Sequence, residues 1–206
     1  MPPSLSSADV FLPDGKGGIL LPQDDRRVAA VSIEFIQSLH FALVDQFADN
    51  AADVLYRSGY EWGLQDMIGL NRNFRAEFGN TTDLWQSDAK FVLDTWWTRL
   101  AGGGWGAWSL DLSALAGGLV VVELKNSPIA AALGRADDPV CHLYAGLFAG
   151  ALSFFERTER HAVEVQCRAL GHPSCQFVVA SGPRIDSAEG WRQQGASAAE
   201  IIRRLA

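Results

Sequence analysis

The sequence predicts an α+β fold in which a helical N-terminal half packs on an antiparallel sheet. Up to about residue 101, apolar residues recur every three to four positions, as they do on one face of a helix. From Trp105 onward the pattern changes to short runs of alternating apolar residues, separated by turns that contain glycine. With 206 residues, 48% of them hydrophobic, the chain is long enough to bury a full core.

The two ends of the chain differ in composition from its middle. Residues 1–15 are rich in Pro, Ser and Gly, and we interpret them as a flexible arm. Gly18–Pro22 follows as a short strand that the proline ends. We expect the main domain to span residues 16–181. Residues 182–206 form a C-terminal tail with a weakly amphipathic helix from Ser187 to Leu205.

Three helices are predicted in the N-terminal half, over residues 27–48, 51–70 and 82–101. The second contains Gly59 and Gly63, and a glycine inside a helix costs roughly 1 kcal/mol relative to alanine. A close contact with another helix, or a kink, would compensate this cost. The third helix ends at a run of three glycines.

The C-terminal half is predicted to contain two hairpins and one helix. The first hairpin joins strands over residues 105–113 and 119–125 through Gly117-Gly118. A helix over residues 139–160 follows. The second hairpin pairs residues 162–167 with residues 175–180 and turns at Gly171–Ser174.

Charge and hydropathy exclude several classes of function. The formal net charge is -7 and no basic stripe is present, so we do not expect direct binding to nucleic acid. The N-terminus has no basic segment followed by an apolar one, and no apolar run reaches membrane length. We therefore expect a soluble cytoplasmic protein without membrane association.

The cysteines are the most informative residues of the chain. The sequence has three, Cys141, Cys167 and Cys175, all within one short stretch. In an intracellular chain this pattern is typical of metal-binding thiolates and not of a disulfide. Soft thiolates favour zinc, which takes four ligands in a tetrahedron.

Several residues are candidates for the fourth ligand. Glu164 precedes Cys167 by three positions, so a regular strand would point the two side chains to opposite faces. A bulge or the end of the strand would have to reorient one of them. His142 and His172 are alternatives, and buried cysteines that act as small hydrophobic residues are the alternative to any metal site.

The run from Val163 to Phe177 resembles the signature of the 4-vinyl reductase domain family, in which Glu-x-x-Cys and a later Cys flank a glycine turn. Phe11-x-Pro13, Gly18-Ile19-x-Leu21 and Arg27 are similar to the entry segment of sensor domains in phenol- and toluene-responsive transcription activators. Gly59-Tyr60-x-x-Gly63-Leu64-x-Asp66 resembles a helix of the same sensors. The similarity covers roughly residues 9–181.

The resemblance implies a structural zinc ion held by Cys141, Glu164, Cys167 and Cys175, so that Glu164 is preferred to His172. Zinc would then staple the C-terminal hairpin to the helix that follows Cys141. Four protein ligands leave the metal no open position, which disfavours catalysis at the metal. Whether the chain is an enzyme is otherwise left open.

The resemblance also implies a buried pocket for a small aromatic molecule beside the zinc. We expect the pocket to be lined by Trp96, Trp97, Trp105, Trp108 and Tyr144. An indole N–H would orient the ligand there. The sensors hold a phenolic hydroxyl with a histidine and a tryptophan, but residues 83–125 contain no histidine, so phenol recognition does not transfer. Packing in the core or in a dimer interface is the alternative role of these aromatic residues.

Three functions follow from the resemblance. The first is a stand-alone sensory protein that binds a small hydrophobic or aromatic molecule, forms a homodimer through long helices and signals to a partner protein. No ATP-binding loop is present, so we do not expect the chain to drive transcription by itself.

The second is an accessory protein of (bacterio)chlorophyll or other tetrapyrrole biosynthesis, where the family takes its name. The sequence has no Gly-x-Gly-x-x-Gly fingerprint for the nicotinamide that a reductase would need. The third is an assembly scaffold without a ligand, since the fold resembles subunits of a vesicle-tethering complex.

Overall fold

The computed structural model describes residues 12–13, 19–21, 26–79 and 81–206. Within these residues the helices are, in chain order, α1 (Ile33–Phe47), α2 (Ala51–Glu77), α3 (Ala89–Gly102), α4 (Pro128–Leu133), α5 (His142–Glu156), α6 (Gly182–Gln193) and α7 (Ala198–Leu205). No helix in this part of the chain is both long enough and apolar enough to cross a membrane.

Two antiparallel sheets accompany the helices. Their strands are β1 (Leu12–Pro13), β2 (Ile19–Leu21), β3 (Arg26–Val28), β4 (Ala107–Asp111), β5 (Val120–Lys125), β6 (His161–Gln166) and β7 (Cys175–Ala180). The first three strands form a small sheet in the order β1-β2-β3, and the other four form the main sheet in the order β4-β5-β7-β6. The predicted α+β class is therefore confirmed.

Local capping residues shift the start of two predicted helices. Helix α1 begins at Ile33 because residues 26–28 are a strand and Ser32 Oγ accepts the Phe35 N–H at 3.2 Å. Helix α3 begins at Ala89 because Asp88 caps its first turn. The predicted flexible arm lies outside the described residues except for β1. The ends of the predicted strand 18–22 lie outside them as well.

The C-terminal tail folds as two helices where the sequence predicts one. Gly195 separates α6 from α7 with a φ of 84°, a left-handed conformation that suits glycine. Ser197 caps α7. The two helices cover one face of the main sheet with an apolar layer made by Leu119, Val165, Val178, Ile185, Ile201 and Leu205.

Helices α2 and α5 pack backbone against backbone. Each contributes two glycines four residues apart, which are Gly59 and Gly63 on α2 and Gly146 and Gly150 on α5. A Cβ atom added at Gly63 would lie 2.1 Å from the Leu147 carbonyl oxygen. The close helix contact predicted from Gly59 and Gly63 is thus present, and it offsets the cost of glycine in a helix.

The main core lies between the other face of the main sheet and helices α3 and α5. Its largest side chains are aromatic and almost fully buried: Trp96, Trp97, Tyr144, Phe148 and Phe177. Helix α5 also packs on β6, so its first residues come next to the β6–β7 hairpin.

Candidate metal centre and adjoining cavity

Three thiols and one carboxyl meet where the start of α5 contacts the β6–β7 hairpin. Cys141 immediately precedes α5, Glu164 lies within β6, Cys167 directly follows β6, and Cys175 opens β7. The pairing of β6 with β7 shifts by one residue between Glu164 and Gln166. This irregularity is the bulge that the odd spacing of Glu164 and Cys167 required. The structure therefore brings the four predicted ligands together.

The distances within this cluster suit one metal ion. One potential ligand atom from each of the four residues lies within 4.8 Å of the other three. The Sγ atoms of Cys141 and Cys175 are 3.7 Å apart. Sulfur ligands at about 2.3 Å from a tetrahedral zinc are about 3.8 Å apart, whereas a disulfide would bring the two atoms to about 2.05 Å. All three cysteines are free thiols.

The polar surroundings of the cluster leave one ligand atom available. Glu164 Oε2 accepts a hydrogen bond from the Cys141 N–H at 2.9 Å. Glu164 Oε1 is buried and accepts no hydrogen bond from the described residues. An orphaned carboxylate oxygen in a buried thiol cluster is costly unless a cation binds it. The donor set therefore fits a metal.

The protonation equilibria of the cluster favour the same conclusion. Hydrogen bonds from Cys141 and Cys175 hold the pKa of Cys167 far below its usual range. Burial raises the pKa of Glu164 well above its usual value. The hydrogen bond with Cys167 and burial raise the pKa of Cys141. Protein groups alone thus stabilise one thiolate, and ionising the other groups requires a cation at the centre.

Neither candidate histidine belongs to the cluster. His172 lies in the exposed turn between β6 and β7. His142 begins α5 next to Cys141, but the ligand-forming group contains only the three cysteines and Glu164 among the described residues. Burial lowers the pKa of His142.

Four of the five predicted ligand-binding residues lie in the packed aromatic core. Trp97 stacks on Trp108 with ring centroids 4.6 Å apart, and Trp96 and Tyr144 contact this pair. The space left between Trp96, Trp108 and neighbouring residues does not hold a water molecule. Two indole N–H groups are engaged within the protein, because Trp96 donates to Asp66 Oδ2 at 3.2 Å and Trp97 donates to the Gly106 carbonyl at 3.1 Å.

The fifth residue, Trp105, lines a separate cavity of about 720 Å³. One wall is Ile19, β3 and the chain up to the first turn of α1, and the opposite wall comes from α2, the end of α3 and the glycine run at 102–104. Trp62 and Trp105 meet edge to face in this cavity, with ring centroids 4.8 Å apart. Tyr144 connects the cavity to the core, since its hydroxyl donates to the Trp105 carbonyl at 2.6 Å.

Sequence reasoning did not identify Trp62, Gln65 or Arg99 as lining residues. Arg99 is distant from the other two in sequence and approaches them because α3 contacts α2, where Trp96 donates to Asp66. The one signal in the sequence was Asp66, an acidic residue in the otherwise closely packed helix α2, which is buried in the structure.

Comparison with known proteins confirms the resemblance predicted from the sequence. Residues 120–181 match the model of the 4-vinyl reductase domain, a stretch that runs from β5 to just past the end of β7 and contains all four cluster residues. No curated protein sequence matches the chain significantly.

Solved structures share the fold. The phenol-responsive sensory domain of the transcription activator PoxR, in complex with phenol, is 20% identical; the match covers 84% of this chain and 85% of that one, with a TM-score of 0.66. A vinyl-4-reductase family protein from Methanocaldococcus jannaschii is 17% identical, over 74% of this chain and 82% of that one, with a TM-score of 0.50.

A third similar structure is subunit 3 of a trafficking protein particle complex from Naegleria fowleri, covalently bound to palmitic acid. It is 13% identical, over 72% of this chain and 93% of that one, with a TM-score of 0.50. At these identities the three structures establish a common fold.

Proposed function

We propose that this chain is a sensory domain that binds a small hydrophobic or aromatic molecule in the 720 Å³ cavity. The cavity is the observation that carries the proposal, because Trp62 and Trp105 give it an aromatic wall within a fold shared with a phenol-bound sensory domain. Small-molecule sites are usually cavities of about 300–1,000 Å³ with mostly apolar walls. An assembly scaffold without a ligand has no need of such a cavity.

The volume favours a ligand larger than one aromatic ring. Since a water molecule occupies about 30 Å³ in the liquid, the cavity has room for roughly 24 waters. A phenol-sized ligand would leave most of this space filled with water. Fused rings or an extended apolar body would displace more water and bury more of the tryptophan surface.

For the cluster of three cysteines and Glu164, we propose zinc as the resident metal. The 3.7 Å sulfur separation, the complete burial of the three cysteines and the orphaned Glu164 oxygen support this choice. When bound, zinc would supply a structural clamp between the start of α5 and the β6–β7 hairpin. With four protein ligands it would have no position for a reacting water, so we assign it no catalytic role.

Ligand binding is tested by calorimetric titration with 2-naphthol, indole and protoporphyrin IX. We expect saturable binding of the two smaller probes and at least about tenfold weaker binding by Trp62→Ala, which removes half of the aromatic pair. Trp191→Ala is the matched control, because Trp191 is a half-buried tryptophan on α6, away from the cavity. Its affinity should equal that of the wild type.

The outcomes separate the three functions. Equal affinities of Trp62→Ala and the wild type would remove the cavity as the binding site. Binding of protoporphyrin without binding of the smaller probes would favour the role in tetrapyrrole biosynthesis. The absence of binding by all three probes would favour the scaffold.

We also propose that the domain forms a homodimer through α1. This helix buries none of its residues, and it exposes a set of large apolar side chains, each more than 40% accessible: Phe35, Leu39, Phe41, Val44 and Phe47. An exposed apolar surface of this kind typically marks an interaction site. A second copy of the chain is the partner that we propose for it.

A further inference from the structure

Resting on the proposed ligand-binding function, we infer that the cavity selects organic monoanions, in particular planar carboxylates, over neutral molecules of the same shape. The inference concerns charged residues of the cavity that are separate from both the cysteine cluster and the packed tryptophans. It specifies the chemical class of the ligand.

The charged groups of the cavity wall are predominantly positive. Among the described lining residues, the charged side chains are Arg27, Asp66 and Arg99. Two cations and one acid give a formal sum of +1 for this wall. The other described lining residues are apolar, aromatic, glycine or the neutral Gln65.

Asp66 offsets one of the two arginines and leaves the other positive charge of the wall unbalanced. Its side chain is buried, and its Oδ2 already accepts the Trp96 indole N–H at 3.2 Å. The carboxyl therefore serves contacts within the protein, including the one between α2 and α3. It is not a group that a ligand must satisfy.

Arg99 is the group best suited to bind an anion. It lies in the last turn of α3, directly before the glycine run, and its Nε and Nη2 atoms are buried from solvent. A guanidinium has five N–H donors, so Arg99 can pair within the protein and still donate to a ligand. Its planar fork matches a carboxylate in a bidentate arrangement.

The apolar remainder of the cavity limits the charge of the ligand to one. Val31, Ile33, Ile36 and Leu100 line the cavity together with the Trp62–Trp105 pair. Such walls desolvate a dianion such as a phosphate ester at high cost, whereas a carboxylate leaves one charge to be matched. A flat ring system on the tryptophans with a carboxylate at Arg99 satisfies both parts of the cavity.

The test compares 2-naphthoate with 2-naphthol by calorimetry at neutral pH. The two probes share their rings and differ in charge. We expect the wild type to bind naphthoate at least about tenfold more tightly than naphthol, and increasing salt to weaken naphthoate alone. Arg99→Gln should lose this preference and retain its affinity for naphthol. Arg203→Gln, an exposed arginine on α7, is the matched control and should behave as the wild type.

The outcomes distinguish this inference from the proposed function. Equal affinities of the two probes for the wild type would overturn the anion preference and leave small-molecule binding intact. Failure of both probes to bind would overturn both. If Arg99→Gln does not fold, Arg99→Lys and the salt dependence of the wild type decide the matter. Lysine should reduce naphthoate affinity only, because it keeps the charge and loses the fork, and salt-independent naphthoate binding contradicts the inference.

Discussion

Glu164 is the residue on which the charge of the metal centre depends. Three thiolates and one carboxylate around a divalent cation would leave two excess negative charges in a buried site. Backbone N–H groups offset part of this excess, since Cys141 donates to Glu164 Oε2 at 2.9 Å and Arg168 donates to Cys175 Sγ at 3.4 Å. The fold of the hairpin is therefore part of the binding site.

Cys175→Ser tests the cluster at the level of one ligand. We expect zinc content, measured by elemental analysis, to fall from about one ion per chain, and the melting temperature to fall by roughly 10 °C, because a structural metal stabilises the folded state by several kcal/mol. A chelator should destabilise the wild type to a similar extent and leave Cys175→Ser nearly unchanged. An unchanged zinc content and melting temperature in the variant would contradict the metal assignment.

The sequence allowed the cluster to be predicted but not the cavity. Glu164, Cys167 and Cys175 lie within one hairpin, so their residue types and spacing carry the signal. Only the position of the bulge decides which face Glu164 takes, and a strand pattern does not specify that position. Trp62 and Arg99, in contrast, become neighbours only through tertiary packing, which no local pattern encodes.

At the scale of elements, the contact between α2 and α5 is tested by Gly63→Ala. The new Cβ would approach the Leu147 carbonyl oxygen to 2.1 Å, so the helices must separate. We expect a loss of roughly 1–3 kcal/mol in the free energy of unfolding, measured with urea. Gly69→Ala, on the same helix with no atom within 4 Å of the new Cβ, should instead stabilise by about 0.4–1 kcal/mol. Equal effects of the two changes would show that α2 and α5 are not in close contact.

His40 gives helix α1 a dependence on pH. Burial lowers its pKa from 6.5, so the folded state favours the neutral imidazole. Its contribution to stability is complete above pH 6.5 and is lost as the pH falls through the lowered pKa. Urea unfolding should therefore show the wild type losing stability relative to His40→Gln between about pH 7.5 and 5.5. Parallel pH profiles of the two proteins would refute this.

The elements themselves could be predicted where their patterns were long, and less well at their ends. The start of α1 depends on the Ser32 cap and on a preceding strand, which compete with an apolar stripe that begins earlier. The two-turn helix α4 was not predicted, because its apolar residues also suit a loop and its helical form depends on the Ser127 cap. Gly195 divides the C-terminal tail, a break that helical periodicity across it concealed.

At the scale of the whole molecule, the exposed surface of α1 is tested by the oligomeric state. Phe35→Glu places a charge in the centre of the apolar surface and should convert a dimer to a monomer in sedimentation velocity experiments. Phe91→Glu is the control, because Phe91 is also exposed but lies on α3. A monomeric wild type would remove the dimer proposal, and a dimer that persists in Phe35→Glu would place its interface elsewhere.

Helix α1 has two roles on opposite sides: Ile33 and Ile36 line the cavity, while Phe35 and Leu39 are exposed. A ligand in the cavity and a second copy on the exposed side would thus act on one rigid element. Thermodynamic linkage then requires reciprocity: if the ligand strengthens self-association by some factor, self-association strengthens ligand affinity by the same factor. The concentration of the protein would in that way set its sensitivity as a detector.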